Sequence, residues 1–301
     1  MNENKTNINW YPGHMAKTIR QIENDLKLVD VVIEILDARI PLSSQNPEVR
    51  KIIENKKKIV VLNKSDLAEE NENCKWIQYF AKRNVPAILC NSNNGDGINK
   101  IENAINNLMK EEKEKALNKG RVGKIIRAMI IGIPNVGKSS FINRIAKKTA
   151  AAVGNKPGVT VKKQWIRLSS NIELLDTPGV LWPKFEDEKV ALNLAFTGTI
   201  KGEILEETEI AYELTKYLLE NYKSNLLEKY KLDNKEVLDI LENKDLEENE
   251  KVVKVMNLIG IKRGAIIRGG EIDLGKTSKI ILDDFKNGKL GRITIEKVEE
   301  N

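Results

Sequence analysis

The densest chemistry in the sequence is Gly132-Ile133-Pro134-Asn135-Val136-Gly137-Lys138-Ser139, which follows the apolar run 125–131. Glycines at both ends let the backbone turn tightly, so that successive amides converge on phosphate oxygens. The spacing of Phe141, Ile142 and Ile145 predicts a helix directly after it, whose N-terminus favours anions. This is the phosphate-binding P-loop pattern. Lys138 would neutralise the β and γ phosphates and Ser139 would place its hydroxyl on Mg²⁺, with Asn135, Val136, Gly137 and Ser140 completing the cradle.

Asn63-Lys64-Ser65-Asp66 follows a second apolar run and matches N-K-x-D, a guanine-reading loop. The Asp66 carboxylate would accept two hydrogen bonds from the N1–H and exocyclic amine of guanine, groups that adenine does not offer. Such a bidentate charged contact is worth about 1–3 kcal/mol of discrimination. Asn63 would hold the loop and contact the base edge, and the stem of Lys64 would cover the base. Asn91 and Ser92, after a third run, are candidates for a backbone contact to the base. In Asp176-Thr177-Pro178-Gly179, Asp176 would hold Mg²⁺ through water and the Gly179 amide would sense the γ phosphate. Thr160 is the candidate switch hydroxyl for Mg²⁺, with Thr149 as the alternative.

These motifs need strands that end where the loops begin. Residues 31–36, 59–62 and 87–90 are continuous apolar runs, the pattern of strands buried on both faces. Helical segments near 47–55 and 73–83 separate them, a β-α-β rhythm that implies a parallel sheet with its functional loops at the carboxyl ends. Met15, Ile19, Ile22 and Leu26 predict a first helix, 97–117 reads as one helix, and two strands are expected near 164–168 and 172–175. From about residue 203 the pattern is helical, and Asn287-Gly288 should stop a helix over 274–287. The expected fold is α/β, with a nucleotide domain over 1–200 and an all-helical domain over 201–301.

The 301 residues exceed the usual single domain, and 41% hydrophobic content suits a globular protein. No apolar run approaches a membrane span, and the first ten residues lack the apolar core of a signal peptide, so no membrane partner is expected. The two cysteines, Cys74 and Cys90, have no framework or metal spacing, which fits a reducing cytosol. The net charge of +6 is unevenly spread: residues 201–250 carry 7 Lys/Arg against 15 Asp/Glu, and 251–301 carry 11 against 7. The excess of base in residues 1–200 and in the last fifty would attract a polyanion such as RNA, or it is simply a lysine-rich solvated surface.

The motif order is unusual. A Ras-like GTPase runs P-loop, switch threonine, D-x-x-G, N-K-x-D, whereas here N-K-x-D comes first. A circular permutation gives this order without losing any loop. With Trp10-Tyr11-Pro12-Gly13-His14-Met15 at the start and Asp37-Ala38-Arg39-Ile40-Pro41 after the first strand, the chain resembles the YlqF-type circularly permuted GTPases, the bacterial ribosome biogenesis GTPase A family. The resemblance is strong through about residue 200. It implies a cytoplasmic GTPase acting late in large (50S) subunit assembly, bound to ribosomal RNA and stimulated by the subunit, with no obligate protein subunit inferred.

The water-orienting position just after D-x-x-G holds Val180 and then Leu181, and neither side chain can orient a water. His14, the single histidine, could accept a hydrogen bond from water near neutral pH. The resemblance assigns it the catalytic role; a helix cap or an RNA contact is the other reading. The resemblance also associates Asn135 with a K⁺ ion, where the alternative is an asparagine that steadies the loop. In the C-terminal helices, Lys262, Arg263 and Arg268 either dock RNA or are solvated. A guanine-nucleotide-gated RNA-binding module with incidental hydrolysis stands as the second function; an ATP-dependent enzyme is disfavoured by Asp66.

Overall fold

The computed structural model describes residues 13–120, 123–153, 165–182, 185, 187–200 and 206–299; the side chains of 13–15 and 148–153 lie outside that description. The chain divides into two compact units, Met1–Glu186 with Thr294–Asn301, and Asp187–Ile293. This differs from the expected 1–200 and 201–301 in two ways. The second unit starts at Asp187, whose carboxylate caps a helix by accepting from Lys189 N at 2.8 Å. The last residues return to the first unit, for reasons of hydrogen bonding given below.

In the first unit the elements are α1 (Gly13–Leu26), β1 (Val31–Asp37), α2 (Pro47–Ile52), β2 (Lys57–Asn63), α3 (Glu70–Ala81) and β3 (Ala87–Leu89). They continue with α4 (Ile98–Leu108), α5 (Lys110–Asn118), β4 (Ile126–Ile131), α6 (Lys138–Val153), β5 (Trp165–Ser169) and β6 (Ile172–Asp176). The six strands run in the order β3-β2-β1-β4-β6-β5, all parallel except β5. β5 and β6 are joined by two residues, too few for a crossover, so they pair antiparallel. Every residue of β1 is buried, as a central parallel strand requires. Ile22, Val32, Val49 and Met129 form one core cluster, and Leu36, Val60, Trp76 and Phe80 form another; Val32 and Leu36, four residues apart on β1, put both on the same face of the sheet.

The expected single helix over 97–117 is two. Met109 leaves helical geometry (φ −103°, ψ 13°), and the Lys57 ammonium takes the Leu108 carbonyl at 2.9 Å, ending α4. Met109 is also the last buried residue of the stripe; α5 buries none.

The second unit contains α7 (Glu188–Phe196), α8 (Glu207–Asn221), α9 (Lys223–Tyr230), α10 (Asn234–Leu241), α11 (Glu248–Lys262) and α12 (Leu274–Lys286). Ile210, Leu214, Leu218, Val252, Val255 and Phe285 are buried in its core. Asn287 caps α12 and Gly288 follows with φ 69°, as the sequence suggested. α7, which sequence periodicity did not single out, contributes Phe196 to a ring pair with Phe285 at 6.5 Å. Among the described residues no helix is long and apolar enough to cross a membrane.

Candidate nucleotide site

The strand register brings the motif loops out at one edge. Asp37 pairs with Asn63 across β1 and β2, and Ile130 pairs with Asp176 across β4 and β6. The loops after β1, β2, β3, β4 and β6 therefore emerge together at the carboxyl ends, where parallel α/β sheets bind ligands.

The P-loop turns from β4 into α6. Asn135 and Gly137 adopt φ of 63° and 89°, and Phe141 N donates to Gly137 O at 2.9 Å as the helix begins. Val136 is buried, whereas Asn135, Ser139 and Ser140 are exposed. A Cβ on Gly137 would lie 2.3 Å from Asn63 Nδ2, so glycine is required twice, for its φ and for space.

Asn63, 1% exposed, explains that close approach. Its Nδ2 donates to Val136 O at 2.7 Å, and its Oδ1 accepts from Ser92 N and Ser92 Oγ at 3.0 and 2.7 Å. Both ends of the amide are thus occupied in joining three loops. The expected loop-holding role has these partners; a contact from Asn63 to the base edge would compete with them.

Lys64 sits in the left-handed region, φ 57°, and its ammonium meets Asp37 Oδ2 at 2.8 Å. Asp37 in turn holds the buried Arg39 guanidinium through two bonds, 3.0 and 2.9 Å. Burial alone would push the Asp37 carboxyl up, but Arg39 and Lys64 together hold it well below the usual carboxylate range. Sequence reading quoted Asp37 and Arg39 as a motif but gave them no partner; the one signal was an acid ending an apolar strand beside a base two residues on. Asp66 is exposed at the rim. Ser65 is fixed from behind by Asn73 Nδ2, which donates to its carbonyl at 2.8 Å, while Ser65 N and Oγ donate to Cys90 O, each at 3.1 Å.

The loop after β3 closes on itself: Asn91 Oδ1 accepts from Asn93 N at 2.9 Å, and Gly97 (φ 82°) passes so near Leu89 O that a Cβ would lie 2.0 Å from it. Asn91 and Ser92 are buried beneath it. Burial pushes the neighbouring Cys90 thiol up to about 11, with Asp96 and Asp66 adding to the rise against a Ser92 hydrogen bond, so this thiol stays protonated and inert.

Asp176-Thr177-Pro178-Gly179 lies against the P-loop. Lys138 Nζ meets Asp176 Oδ1 at 2.8 Å and also donates to Thr177 O. Thr177 Oγ1 donates to Ile130 O at 2.7 Å, and a Cβ on Gly179 would lie 3.1 Å from Pro134 N. The Asp176 side chain is 43% exposed, and together with the Ser139 hydroxyl it offers the hard oxygen donors that Mg²⁺ prefers. Among the described residues no three His, Cys, Asp or Glu form a metal group, so an ion held here would depend on phosphate oxygens as well. Val180 and Leu181 are buried. Asn46, which sequence reading missed, donates from Nδ2 to Val180 O at 2.9 Å while its Oδ1 caps α2.

Some candidates fall elsewhere. His14 is in the first turn of α1, its side chain outside the described residues. Thr160 lies outside them entirely, and so does the side chain of Thr149 in α6. In the second unit Lys262 and Arg268 are exposed; Arg263 donates to Lys229 O at 3.0 Å and lies 5.1 Å from the Tyr230 ring centre.

A family model described as a 50S ribosome-binding GTPase matches residues 127–258. That stretch contains the P-loop and D-x-x-G but not residues 63–66, as a permuted order requires. The chain is 45% identical over 294 residues to Ribosome biogenesis GTPase A of Bacillus licheniformis, covering 97% of this chain and 99% of that protein. Its counterpart in Bacillus cereus is also 45% identical, over 293 residues, with 97% and 95% covered. Among solved structures the fold is similar to GNP-bound YlqF from T. maritima, at 24% identity and a TM-score of 0.62, covering 95% of this chain and 100% of that one.

Proposed function

Since the chain belongs to the ribosome biogenesis GTPase A family and is a GTP-hydrolysing enzyme, we propose that it is a cytoplasmic assembly factor that acts late in maturation of the large ribosomal subunit. In this reading it binds ribosomal RNA, and the subunit stimulates its hydrolysis. The observation that carries the nucleotide half of the proposal is the Asn63 amide. It ties the guanine-reading loop to the P-loop and to Ser92, so motifs scattered by permutation converge on one site.

The roles follow from position. Asp66 reads the guanine edge, Lys64 covers the base, and Asn91 and Ser92 hold the loop beneath it. The backbone over 135–140 wraps the phosphates while Lys138 gives up its Asp176 partner to neutralise them. Ser139 and Asp176, with Thr160, would hold Mg²⁺, which supplies positive charge at the phosphates. Gly179, packed against Pro134, is placed to feel the γ phosphate through its amide. Val180 and Leu181 are buried and apolar; the family resemblance gives the water-orienting role to His14 and a part in holding K⁺ to Asn135. Exposed Lys262 and Arg268 beside exposed Ile261, Ile266 and Ile267 suit an RNA-bearing surface.

The test is GTP turnover by the purified protein with large subunits, small subunits or no particle, in potassium and in sodium buffer. Stimulation of orders of magnitude by large subunits alone is expected. Equal rates in all three would leave a nucleotide-gated RNA binder, and equal rates in both salts would remove the potassium role.

A further inference from the structure

After the helical unit the chain returns to the first unit, and residues 294–298 are hydrogen-bonded along it. Ile295 and Glu296 donate their backbone N–H groups to Arg39 O at 3.0 and 3.1 Å. The Glu296 carboxylate accepts from Leu42 N at 2.6 Å, from Ser43 N at 2.9 Å and from the Ser43 hydroxyl. Glu296 O accepts from the Trp76 indole at 3.0 Å, Thr294 Oγ1 accepts from Glu69 N at 2.9 Å, and Val298 N donates to Glu72 Oε2 at 3.2 Å.

These partners fall into two groups. Arg39, Leu42 and Ser43 belong to the loop after β1; Glu69 immediately precedes α3, and Glu72 and Trp76 lie in its first and middle turns. The two groups flank residues 63–66. From the first, the Arg39 side chain runs to Asp37 and Asp37 to Lys64. From the second, Asn73 runs to Ser65 O. A carboxylate that accepts two consecutive backbone N–H groups makes strong, charge-assisted bonds and fixes the loop's shape.

We propose that Glu296 is a positioning residue for guanine recognition, its tail clamping the loop after β1 to α3 so that Lys64, Ser65 and Asp66 are held ready for the base. This rests on the reading of residues 63–66 as the guanine site. It assigns a role in the nucleotide site to residues at the far end of the chain, beyond the helical unit.

The experiment uses the full chain with Glu296→Gln and Glu296→Ala, at a temperature where circular dichroism shows each variant folded. Release of fluorescent GDP is timed by stopped flow, and affinities for GDP, inosine diphosphate and ADP are measured by calorimetry. Inosine lacks only the exocyclic amine, so the GDP-to-inosine ratio reports on the amine's contact with Asp66. Release about tenfold faster in Glu296→Ala is expected, with a smaller effect in Glu296→Gln and a reduced ratio. A stabilising tail with no part in recognition would lower the melting temperature and leave both readouts at wild-type values; that result overturns the proposal. If the wild-type protein itself binds ADP as well as GDP, the guanine-site reading falls and the positioning role with it. If Glu296→Ala does not fold, Glu296→Gln carries the same two outcomes.

Discussion

The Asn63 amide donates to the Val136 carbonyl at 2.7 Å across 73 positions of sequence. That bond fixes the distance between the loop after β2 and the P-loop after β4, whatever the order in which the chain supplies them. Asn63→Ala removes it and leaves the Val136 carbonyl and the Ser92 N–H and hydroxyl without their partner. Each of the three unmade buried bonds costs about 1–3 kcal/mol, so urea unfolding should show a loss of at least about 3 kcal/mol. Affinity for GDP should fall with it in calorimetry; unchanged stability would mean that water replaces the amide.

Asp37 is flanked by two cations, and they are not equivalent. Arg39 is buried and Lys64 is partly exposed. Asp37→Asn strands a buried guanidinium and should cost about 3–5 kcal/mol, whereas Lys64→Met leaves the Asp37–Arg39 pair intact and should cost far less. The sign of the pH effect follows from the depressed folded value. The unfolded carboxyl takes up its proton near its ordinary value of 3.8, before the folded one does. The stabilisation is therefore complete above that value and drains away as pH falls below it. Acid titration of unfolding should show this slope in the wild type and not in Asp37→Asn.

Much of the site was legible because its signals are local. The P-loop, N-K-S-D and D-T-P-G motifs each lie within eight residues, and the apolar runs before them are strands. The pairings that tie them together are not local. Nothing near Asn46 announces Val180, nothing near Ser43 announces Glu296, and Asp37 meets Lys64 only because β1 and β2 pair with Asp37 opposite Asn63. The break between α4 and α5 has the same origin: Lys57, from a different element, takes the Leu108 carbonyl. Periodicity sees the stripe Ile98, Ile101, Ile105 and not the side chain that ends it.

Glu34 is the second buried acid of β1 beside Asp37, and its carboxyl is raised above the usual value of 4.5 chiefly by burial, against the pull of Lys58, Arg50 and the Gln45 hydrogen bond. A folded state that keeps its proton longer than the unfolded chain loses stability as pH rises through that window and stays lower above it. Glu34→Gln should therefore be more stable than wild type at pH 8, with the gain shrinking to nothing near pH 4. Chemical denaturation at the two pH values measures it; a constant difference would place the cause in packing against Gln45.

Asn46 does two things with one side chain. Its Oδ1 accepts from Glu48 N and Val49 N at the start of α2, and its Nδ2 donates to Val180 O, one residue past the D-x-x-G glycine. In this permuted chain Val180 leads on toward Asp187 and the helical unit, so if Gly179 senses the γ phosphate as proposed, this bond is the next contact along the chain. Asn46→Ala loses the cap, worth about 1 kcal/mol, and frees the Val180 carbonyl. Asn46→Asp keeps the cap but cannot donate. The two variants separate the functions: both should lose stability through the unpaired Val180 carbonyl, and only the first through the cap. Both should show a weakened difference between GDP-bound and GTP-analogue-bound protein in hydrogen exchange over residues 180–182. If Asn46→Asp keeps the full nucleotide-dependent difference, the bond to Val180 is structural and does not carry the switch.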